Sequence, residues 1–210
     1  MDPRNQKRLR TYMVTGDAVD QLLMGQIGHA LELGVDLVQI RRKTETAREL
    51  QSLVVAVLKA FPEARERILV NDRLDVALAA GAGGVHLPAS GLPTGSVRES
   101  APSGFLVARS VHSPHEAIRA AREGANFVVF GPIYSTPSKP GHPGAGIDRL
   151  REVVESTSVE VFAIGGIDAR RASDVARAGA AGVAGISVFR SAEALTELMK
   201  RLGELGGSFP

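Results

Sequence analysis

The segment Ala178-Gly179-Ala180-Ala181-Gly182-Val183 joins the end of an amphipathic stretch to a short apolar run, and this arrangement occurs four times in the chain. The other copies are Leu33-Gly34-Val35-Asp36-Leu37-Val38, Ala80-Gly81-Ala82-Gly83-Gly84-Val85 and Glu123-Gly124-Ala125-Asn126-Phe127-Val128. The first glycine of each copy suits the left-handed end of a helix, because a Cβ makes positive φ costly. The copies are 47, 43 and 55 residues apart, which predicts stacked helix–strand pairs and not a short-period solenoid.

Eight short apolar runs alternate with amphipathic stretches along the chain. The runs are 10–15, 37–41, 68–70, 84–87, 106–110, 127–130, 159–164 and 183–187. Continuous apolar runs are typical of parallel strands buried on both faces. Between them we expect about eight helices, with Leu22 and Leu78 on buried faces. This order predicts an α/β fold, a (β/α)₈ barrel in a single domain over residues 1–210 with its core at about 10–203. A doubly wound sheet, which usually has five or six strands, is the alternative.

Composition excludes several classes of function. The 210 residues contain no Cys, so disulfide scaffolds, zinc ribbons, iron–sulfur proteins and thiol nucleophiles are excluded. The net charge of +2 has no basic block behind it, and we expect no nucleic-acid partner. With no apolar stretch of membrane-spanning length and no secretory signal pattern, we expect a cytoplasmic protein with no membrane partner. Only 4% of residues are aromatic, which predicts an aliphatic core.

Polar residues follow strands two and three, where the catalytic face of such a barrel lies. Gln39, Arg41 and Lys43 alternate at the end of strand two, and two cations aimed to one side suggest an anion such as pyrophosphate. Asn71 and Asp72 follow strand three. This pair could bind Mg²⁺ and a substrate, or it could cap the helix that follows.

Strands four and five end in groups suited to proton transfer or hydrogen bonding. His86 ends strand four, and Ser110 and His112 end strand five. A neutral histidine can transfer protons near pH 7, although a lone strand-end histidine is more often a packing residue. Ser113 precedes Pro114 and is suited to cap the next helix.

The longest loop and the last two strands suggest a phosphate site. Residues 131–146 are rich in Gly, Pro, Ser and Thr and contain Lys139, which is typical of a lid and equally of a flexible surface loop. Gly165 and Gly166 follow strand seven, and Ile186 and Ser187 end strand eight. Phosphate often binds backbone N–H groups after these two strands in such barrels, although a tight turn alone would also need glycine.

Taken together, these segments resemble the thiamine phosphate synthase/TenI family from about Tyr12 to Phe189. The motifs that carry the resemblance are Tyr12-Met13-Val14-Thr15, Gln39-Ile40-Arg41-Arg42-Lys43, Asn71-Asp72-Arg73, Gly84-Val85-His86-Leu87, Gly131-Pro132-Ile133-Tyr134, Thr136-Pro137-Ser138-Lys139 and Ala163-Ile164-Gly165-Gly166-Ile167. The resemblance implies a barrel enzyme that joins hydroxymethylpyrimidine pyrophosphate to thiazole phosphate, with Mg²⁺ as the cofactor.

The resemblance also implies roles for individual residues. Catalytic roles fall on Arg41, Lys43, Ser110, His112 and Lys139. Substrate binding falls on Gln39, Asn71, His86, Thr136, Ser138, Gly166, Ile186 and Ser187. The metal role falls on Asp72. The expected partners are small phosphorylated substrates, with a homodimer left open.

One position departs from the family pattern and keeps alternatives open. Synthases of this family place a second Mg²⁺-binding Asp where this chain has Gly91. The segments Leu87-Pro88-Ala89-Ser90 and Arg109-Ser110-Val111-His112-Ser113 look more like the TenI branch, whose members isomerise a carboxythiazole phosphate without metal, and His112 would then move the proton. A non-catalytic sensor of a pathway metabolite and another phosphate-binding barrel, such as a sugar-phosphate isomerase, are further alternatives.

Overall fold

The computed structural model describes residues 8–16 and 20–206, and it contains a closed barrel of eight parallel strands. The strands are β1 Arg10–Val14, β2 Leu37–Ile40, β3 Ile68–Asn71, β4 Gly84–Leu87, β5 Leu106–Val111, β6 Phe127–Phe130, β7 Glu160–Ile164 and β8 Gly182–Gly185. Each strand pairs with the next in sequence, and β8 closes onto β1 with Thr11 opposite Val183. The predicted barrel is therefore confirmed.

Eight α-helices surround the barrel in the described part of the chain. They are α1 Asp20–Glu32, α2 Ala47–Ala60, α3 Leu74–Ala80, α4 Thr94–Ser100, α5 Pro114–Arg122, α6 Gly146–Ser156, α7 Ala172–Arg177 and α8 Ala192–Gly206. Short 3₁₀ helices lie at Pro62–Arg67 and Ser187–Phe189. The last helix extends beyond the expected core boundary at 203, and Leu205 is buried within it. Of the helices described, none is long and apolar enough to cross a membrane.

Local sequence signals account for the ends of several helices. The four repeat glycines all have positive φ, with 84° at Gly34, 73° at Gly81, 90° at Gly124 and 82° at Gly179, as predicted. Helix α5 begins with the expected cap, because the Ser113 side chain accepts a hydrogen bond from the Glu116 backbone N–H. The glycines fix where the following strands begin, on the barrel face opposite the carboxyl ends, whereas the Ser113 cap follows β5 at the carboxyl-end face.

Most of the core is aliphatic, as predicted, but the barrel centre also contains an aromatic cluster, and two apolar helix positions are more exposed than expected. At this centre, Tyr12 packs edge-on against Phe127 at 5.5 Å and against Phe162 at 6.0 Å between ring centroids. Three of the nine Phe and Tyr residues thus lie in the barrel centre together with aliphatic residues, while the layer between strands and helices is mostly aliphatic. Leu22 and Leu78, expected on buried helix faces, are 56% and 39% exposed, because periodicity alone does not show how far an apolar face extends.

Candidate active site

A cavity of about 570 Å³ opens at the carboxyl ends of the strands. Twelve of the residues singled out from the sequence line its wall, namely Gln39, Arg41, Asn71, His86, Ser110, His112, Thr136, Ser138, Lys139, Gly166, Ile186 and Ser187. These residues come from seven strands, β2 to β8, and the loops that follow them, so the barrel closes them around one space. A concave site of this size at this face is the expected ligand site of the fold.

A chain of neutral hydrogen-bonding side chains lies under the cavity. Gln39 Nε2 donates to the Tyr12 hydroxyl at 3.0 Å, and this hydroxyl lies 3.1 Å from His86 Nδ1. His86 Nε2 lies 2.8 Å from Ser110 Oγ at the cavity wall. Gln39, Tyr12 and His86 are buried, so each polar group needs a partner, and each finds one in the next member of the chain.

Burial determines the charge state of these hydrogen-bonded side chains under the cavity. The pKa of His86 falls to about 3, because the ring is removed from water and because the cations Arg41 and Arg109 lie near it. Burial also raises the pKa of the Tyr12 hydroxyl, with the Gln39 hydrogen bond opposing the shift. His86 is therefore a neutral hydrogen-bonding group near pH 7 and not a proton carrier.

Two positively charged side chains at the cavity wall have no partner among the described residues. Arg41 and Lys139 line the cavity, and their side chains form no ion pair or hydrogen bond with any residue in the described ranges. Elsewhere arginines pair with acids, as Arg10 does with Glu160 at 2.8 Å and Arg73 with Asp75 at 2.5 Å. Two unpaired cations at one opening form a site suited to an anion.

Lys43 differs from the sequence expectation. The alternation along strand two was expected to aim it to the same side as Gln39 and Arg41, but Lys43 is exposed and does not line the cavity. Strand β2 ends at Ile40, so the period of two does not extend to residue 43. A role for Lys43 toward a ligand stays a prediction.

Asp72 follows the lining residue Asn71 but does not itself line the cavity, and it has an uncommon backbone conformation. Its φ is 60°, and its backbone N–H donates to the His86 carbonyl at 2.9 Å. Helix α3 begins without any side-chain cap, so the capping alternative for Asn71 and Asp72 is excluded. The Asp72 side chain is exposed and makes no ion pair within the part of the chain that the structure describes.

Gly91 faces Asp72 across a short gap. A Cβ at Gly91 would lie 2.9 Å from Asp72 Oδ1, so a side chain here would stand directly beside that carboxylate. The loop is held from below by Arg109, whose guanidinium donates to the carbonyl oxygens of Ala89 and Leu92. The position at which the family pattern implies a second acidic ligand is therefore next to Asp72 but bears no carboxylate, and the described residues contain no group of three metal-ligating His, Asp or Glu side chains.

The loop after β6 packs against the end of β7. The N–H of Ile133 donates to the Ile164 carbonyl at 2.9 Å, and the N–H of Tyr134 donates to the Gly165 carbonyl at 3.0 Å. Gly165 and Gly166 have φ of 102° and 66°, and a Cβ on Gly166 would lie 2.6 Å from the Ser135 carbonyl oxygen. These glycines are thus required by loop packing as well as suited to close backbone approach by an anion.

His112 lies at the cavity wall, and one of its ring nitrogens is hydrogen-bonded to the protein. Its Nδ1 lies 2.9 Å from the Gly131 carbonyl oxygen, which can only accept, so Nδ1 carries the hydrogen. Nε2 is then the basic nitrogen, and His112 is exposed at the cavity wall. The two histidines near the cavity therefore have different environments, one buried and bonded at both nitrogens and one open at Nε2.

Sequence reasoning missed the contributions of Tyr12 and Arg109. Tyr12 entered only as part of a motif, although a hydroxyl on an inward position of a buried strand is a signal that a polar partner lies nearby. Arg109 faces away from the cavity between Ala108 and Ser110, and its partners lie 17 and 20 residues earlier in the chain. No local pattern indicates such partners.

The fold and the cavity together define an enzyme-type (β/α)₈ barrel with its ligand site at the carboxyl ends of the strands. Residues 11–189 match the family model described as thiamine monophosphate synthase, and the chain belongs to this family.

Named relatives agree with this assignment. A protein of Methanoculleus marisnigri named thiamine-phosphate synthase is 47% identical over 155 residues, which cover 73% of this chain and 74% of that protein. A thiamine-phosphate synthase of Natronomonas pharaonis is 38% identical over 198 residues, or 92% of each chain. The solved structure of a thiamine phosphate pyrophosphorylase from Pyrococcus furiosus has a TM-score of 0.81 and 32% identity, covering 96% of this chain and 98% of that one.

Proposed function

We propose that this chain is a transferase of thiamine biosynthesis that couples hydroxymethylpyrimidine pyrophosphate with thiazole phosphate to give thiamine phosphate and pyrophosphate. The observation that carries the proposal is a pair of cations, Arg41 and Lys139, without an ion-paired partner among the described residues, at the wall of a cavity whose interior hydrogen-bonding groups are neutral. The names of the relatives support the same reaction.

The reaction needs charge stabilisation more than proton transfer. The bond between the pyrimidine methylene carbon and the pyrophosphate oxygen breaks, and a bond forms from the thiazole nitrogen to that carbon. No proton moves, so a neutral His86 suits the chemistry. Arg41 and Lys139 would stabilise the negative charge that develops on pyrophosphate, with Asn71 as a hydrogen-bond donor.

The thiazole phosphate would lie on the other side of the cavity. Thr136 and Ser138 supply hydroxyl groups, and the backbone near Gly166, Ile186 and Ser187 can approach phosphate oxygens closely. Gln39 and Ser110, which end the neutral chain, would contact the pyrimidine and the reacting groups.

Mg²⁺ belongs to this proposal with Asp72 as its protein ligand. One exposed carboxylate without an ion pair, beside the Asn71 amide, is compatible with an ion that commonly uses one or two carboxylates and takes its other ligands from water and phosphate oxygens. When bound, Mg²⁺ neutralises charge on the departing pyrophosphate. Gly91 leaves this chain with fewer acidic ligands than the family pattern implies, so we expect the ion to depend on the substrate for retention.

A coupling assay with both substrates tests the proposal. Purified protein should form thiamine phosphate and pyrophosphate in equal amounts, and neither product should form when one substrate is left out. Saturable binding of both substrates without turnover would contradict the proposed reaction and favour a sensor.

The open Nε2 of His112 supports a second candidate, the isomerisation of a carboxythiazole phosphate. This group is the one basic nitrogen at the cavity wall among the described histidines, since both nitrogens of His86 are bonded. If the chain is an isomerase, His112→Gln should abolish isomerisation and Arg41→Ala should change it little. A synthase would show the reverse order of sensitivity in the coupling assay.

A further inference from the structure

The Tyr12 hydroxyl is buried under the cavity and does not contact it. Its ring packs on Phe127 and Phe162, so a phenylalanine would fill the same space. Burying a hydroxyl in this interior is costly unless it is fully hydrogen-bonded. The hydroxyl touches two groups, Gln39 Nε2 at 3.0 Å and His86 Nδ1 at 3.1 Å. Both belong to residues that line the cavity.

We propose that Tyr12 and His86 are positioning residues that set the direction of the hydrogen bonds under the cavity, so that Ser110 presents its hydroxyl hydrogen to the ligand. The inference extends the proposed function, because it assigns Ser110 a donor role toward an acceptor atom of the substrate. Neither Tyr12 nor His86 would move a proton in the reaction.

The direction follows from the kind of group at each link. The Gln39 amide nitrogen can only donate, so the Tyr12 oxygen accepts from it and gives its own hydrogen to His86 Nδ1. Nδ1 is then bare, and the imidazole hydrogen lies on Nε2, which donates to Ser110 Oγ at 2.8 Å. The hydrogen of Ser110 has no other acceptor among the described residues, and Ser110 lines the cavity, so this hydrogen is available to a ligand there.

Charge would disrupt this arrangement. An imidazolium would donate from both nitrogens, and the Tyr12 oxygen would then receive two hydrogens while its own had no acceptor. Burial of the ring opposes that state. Turning the Gln39 amide over would reverse every link, and Ser110 would then donate inward to His86 and present only lone pairs. A single amide orientation therefore decides whether Ser110 donates to a ligand or accepts from it.

The two histidines near the cavity provide an internal contrast. His86 should carry its hydrogen on Nε2, whereas His112 should carry it on Nδ1, because the Gly131 carbonyl oxygen only accepts. Nitrogen-15 NMR correlations of the imidazole rings separate the protonated nitrogen from the bare one, and substitution of His112 by glutamine assigns its signals. Opposite patterns for the two rings are expected, and an Nδ1–H form of His86 would overturn the proposed direction.

Catalysis provides the second arm of the test. Tyr12→Phe should lower kcat for coupling about tenfold through loss of one hydrogen bond that organises Ser110. In a Ser110→Ala background the same substitution should have little further effect, because the group through which Tyr12 acts is absent. Equal losses in both backgrounds would show that the Tyr12 hydroxyl acts independently of Ser110 and would contradict the proposal.

Phe127→Leu is the matched control, since it removes a ring that packs on Tyr12 and leaves every hydroxyl in place. It should lower the melting temperature while the His86 tautomer and the Tyr12–Ser110 coupling persist. The NMR arm requires no substrate. If the wild-type chain couples no substrates, the proposed function fails, and the His86 pattern still decides the direction of the hydrogen bonds.

Discussion

Two groups of polar side chains meet at the carboxyl ends of the strands, and they differ in whether protein partners satisfy them. In the interior, Gln39, Tyr12, His86 and Ser110 bond to one another in sequence. The side chains of Arg41 and Lys139 at the cavity wall, and of Asp72 next to the lining residue Asn71, have no hydrogen-bonded or ion-paired partner among the described residues. The comparison indicates a site whose neutral groups are arranged in advance and whose charged groups are left for a ligand.

Removing the Asp72 carboxylate should have the largest effect on the rate of coupling. Asp72→Ala should lower the rate of coupling by about a thousandfold, because the proposed Mg²⁺ ion would lose its one carboxylate ligand and several kcal/mol of charge stabilisation. The measurement is the steady-state rate at saturating Mg²⁺. Asp75→Ala is the matched control, since Asp75 pairs with Arg73 outside the cavity and should leave the rate unchanged.

Removing one cation at the cavity wall should have the next largest effect. Lys139→Ala should lower kcat for coupling about a hundredfold, the usual loss when one group that stabilises developing negative charge is deleted. Lys59→Ala, on the exposed side of α2, provides the comparison. Equal rates for the two variants would show that Lys139 does not act on the leaving group.

The buried, neutral His86 should make the free energy of unfolding depend on pH. The pKa of His86 is about 3 in the folded chain and about 6.5 when unfolded, so the unfolded state binds the extra proton first as the pH falls. Stability from the neutral ring is complete above pH 6.5 and is lost progressively as the pH falls toward 3. Between pH 7 and 5 this loss is about 2 kcal/mol in the free energy of unfolding.

Urea unfolding at pH 7 and pH 5 measures this effect. The wild type should lose about 2 kcal/mol more than His86→Gln, which cannot titrate at this position. Identical pH dependence of the two proteins would show that His86 becomes charged in the folded state, and the contrast between the two groups of side chains would fail.

The smallest expected effect is a gain in the apparent affinity for Mg²⁺. Gly91→Asp should increase the apparent affinity for Mg²⁺ severalfold, because the new carboxylate would stand beside Asp72, where a Cβ lies 2.9 Å from Oδ1. Titration of the coupling rate with Mg²⁺ measures it. Gly91→Asn is the control of similar size without charge, and an equal gain from asparagine would assign the effect to loop shape.

The parts of the molecule that follow local rules could be predicted from the sequence. Apolar runs located all eight strands to within about two residues, since the barrel requires buried parallel strands at each of them. Polar residues just beyond those runs reached the cavity because parallel strands end on one face. Lys43 and Asp72 did not: strand β2 ends before the alternation could apply to Lys43, and Asp72 has a positive φ just after β3.

The parts that depend on distant contacts could not be predicted. The bond from Tyr12 to His86 joins residues 74 positions apart, and its direction depends on an amide from a third strand. The aromatic centre of the barrel was hidden by an overall composition poor in aromatics. A side chain at Gly91 would contact Asp72 only because of how the loop after β4 folds, and no local sequence pattern indicates that contact.

The most direct test of the account is the coupling of both substrates by the purified protein with Mg²⁺ and in EDTA. Arg41, Asp72 and Lys139 have no ion-paired partner among the described residues. From these charges we predict that thiamine phosphate and pyrophosphate form in equal amounts with Mg²⁺ and that formation stops in EDTA. Equal rates in the two conditions would contradict the metal role of Asp72, and the absence of coupling in both would contradict the proposed reaction.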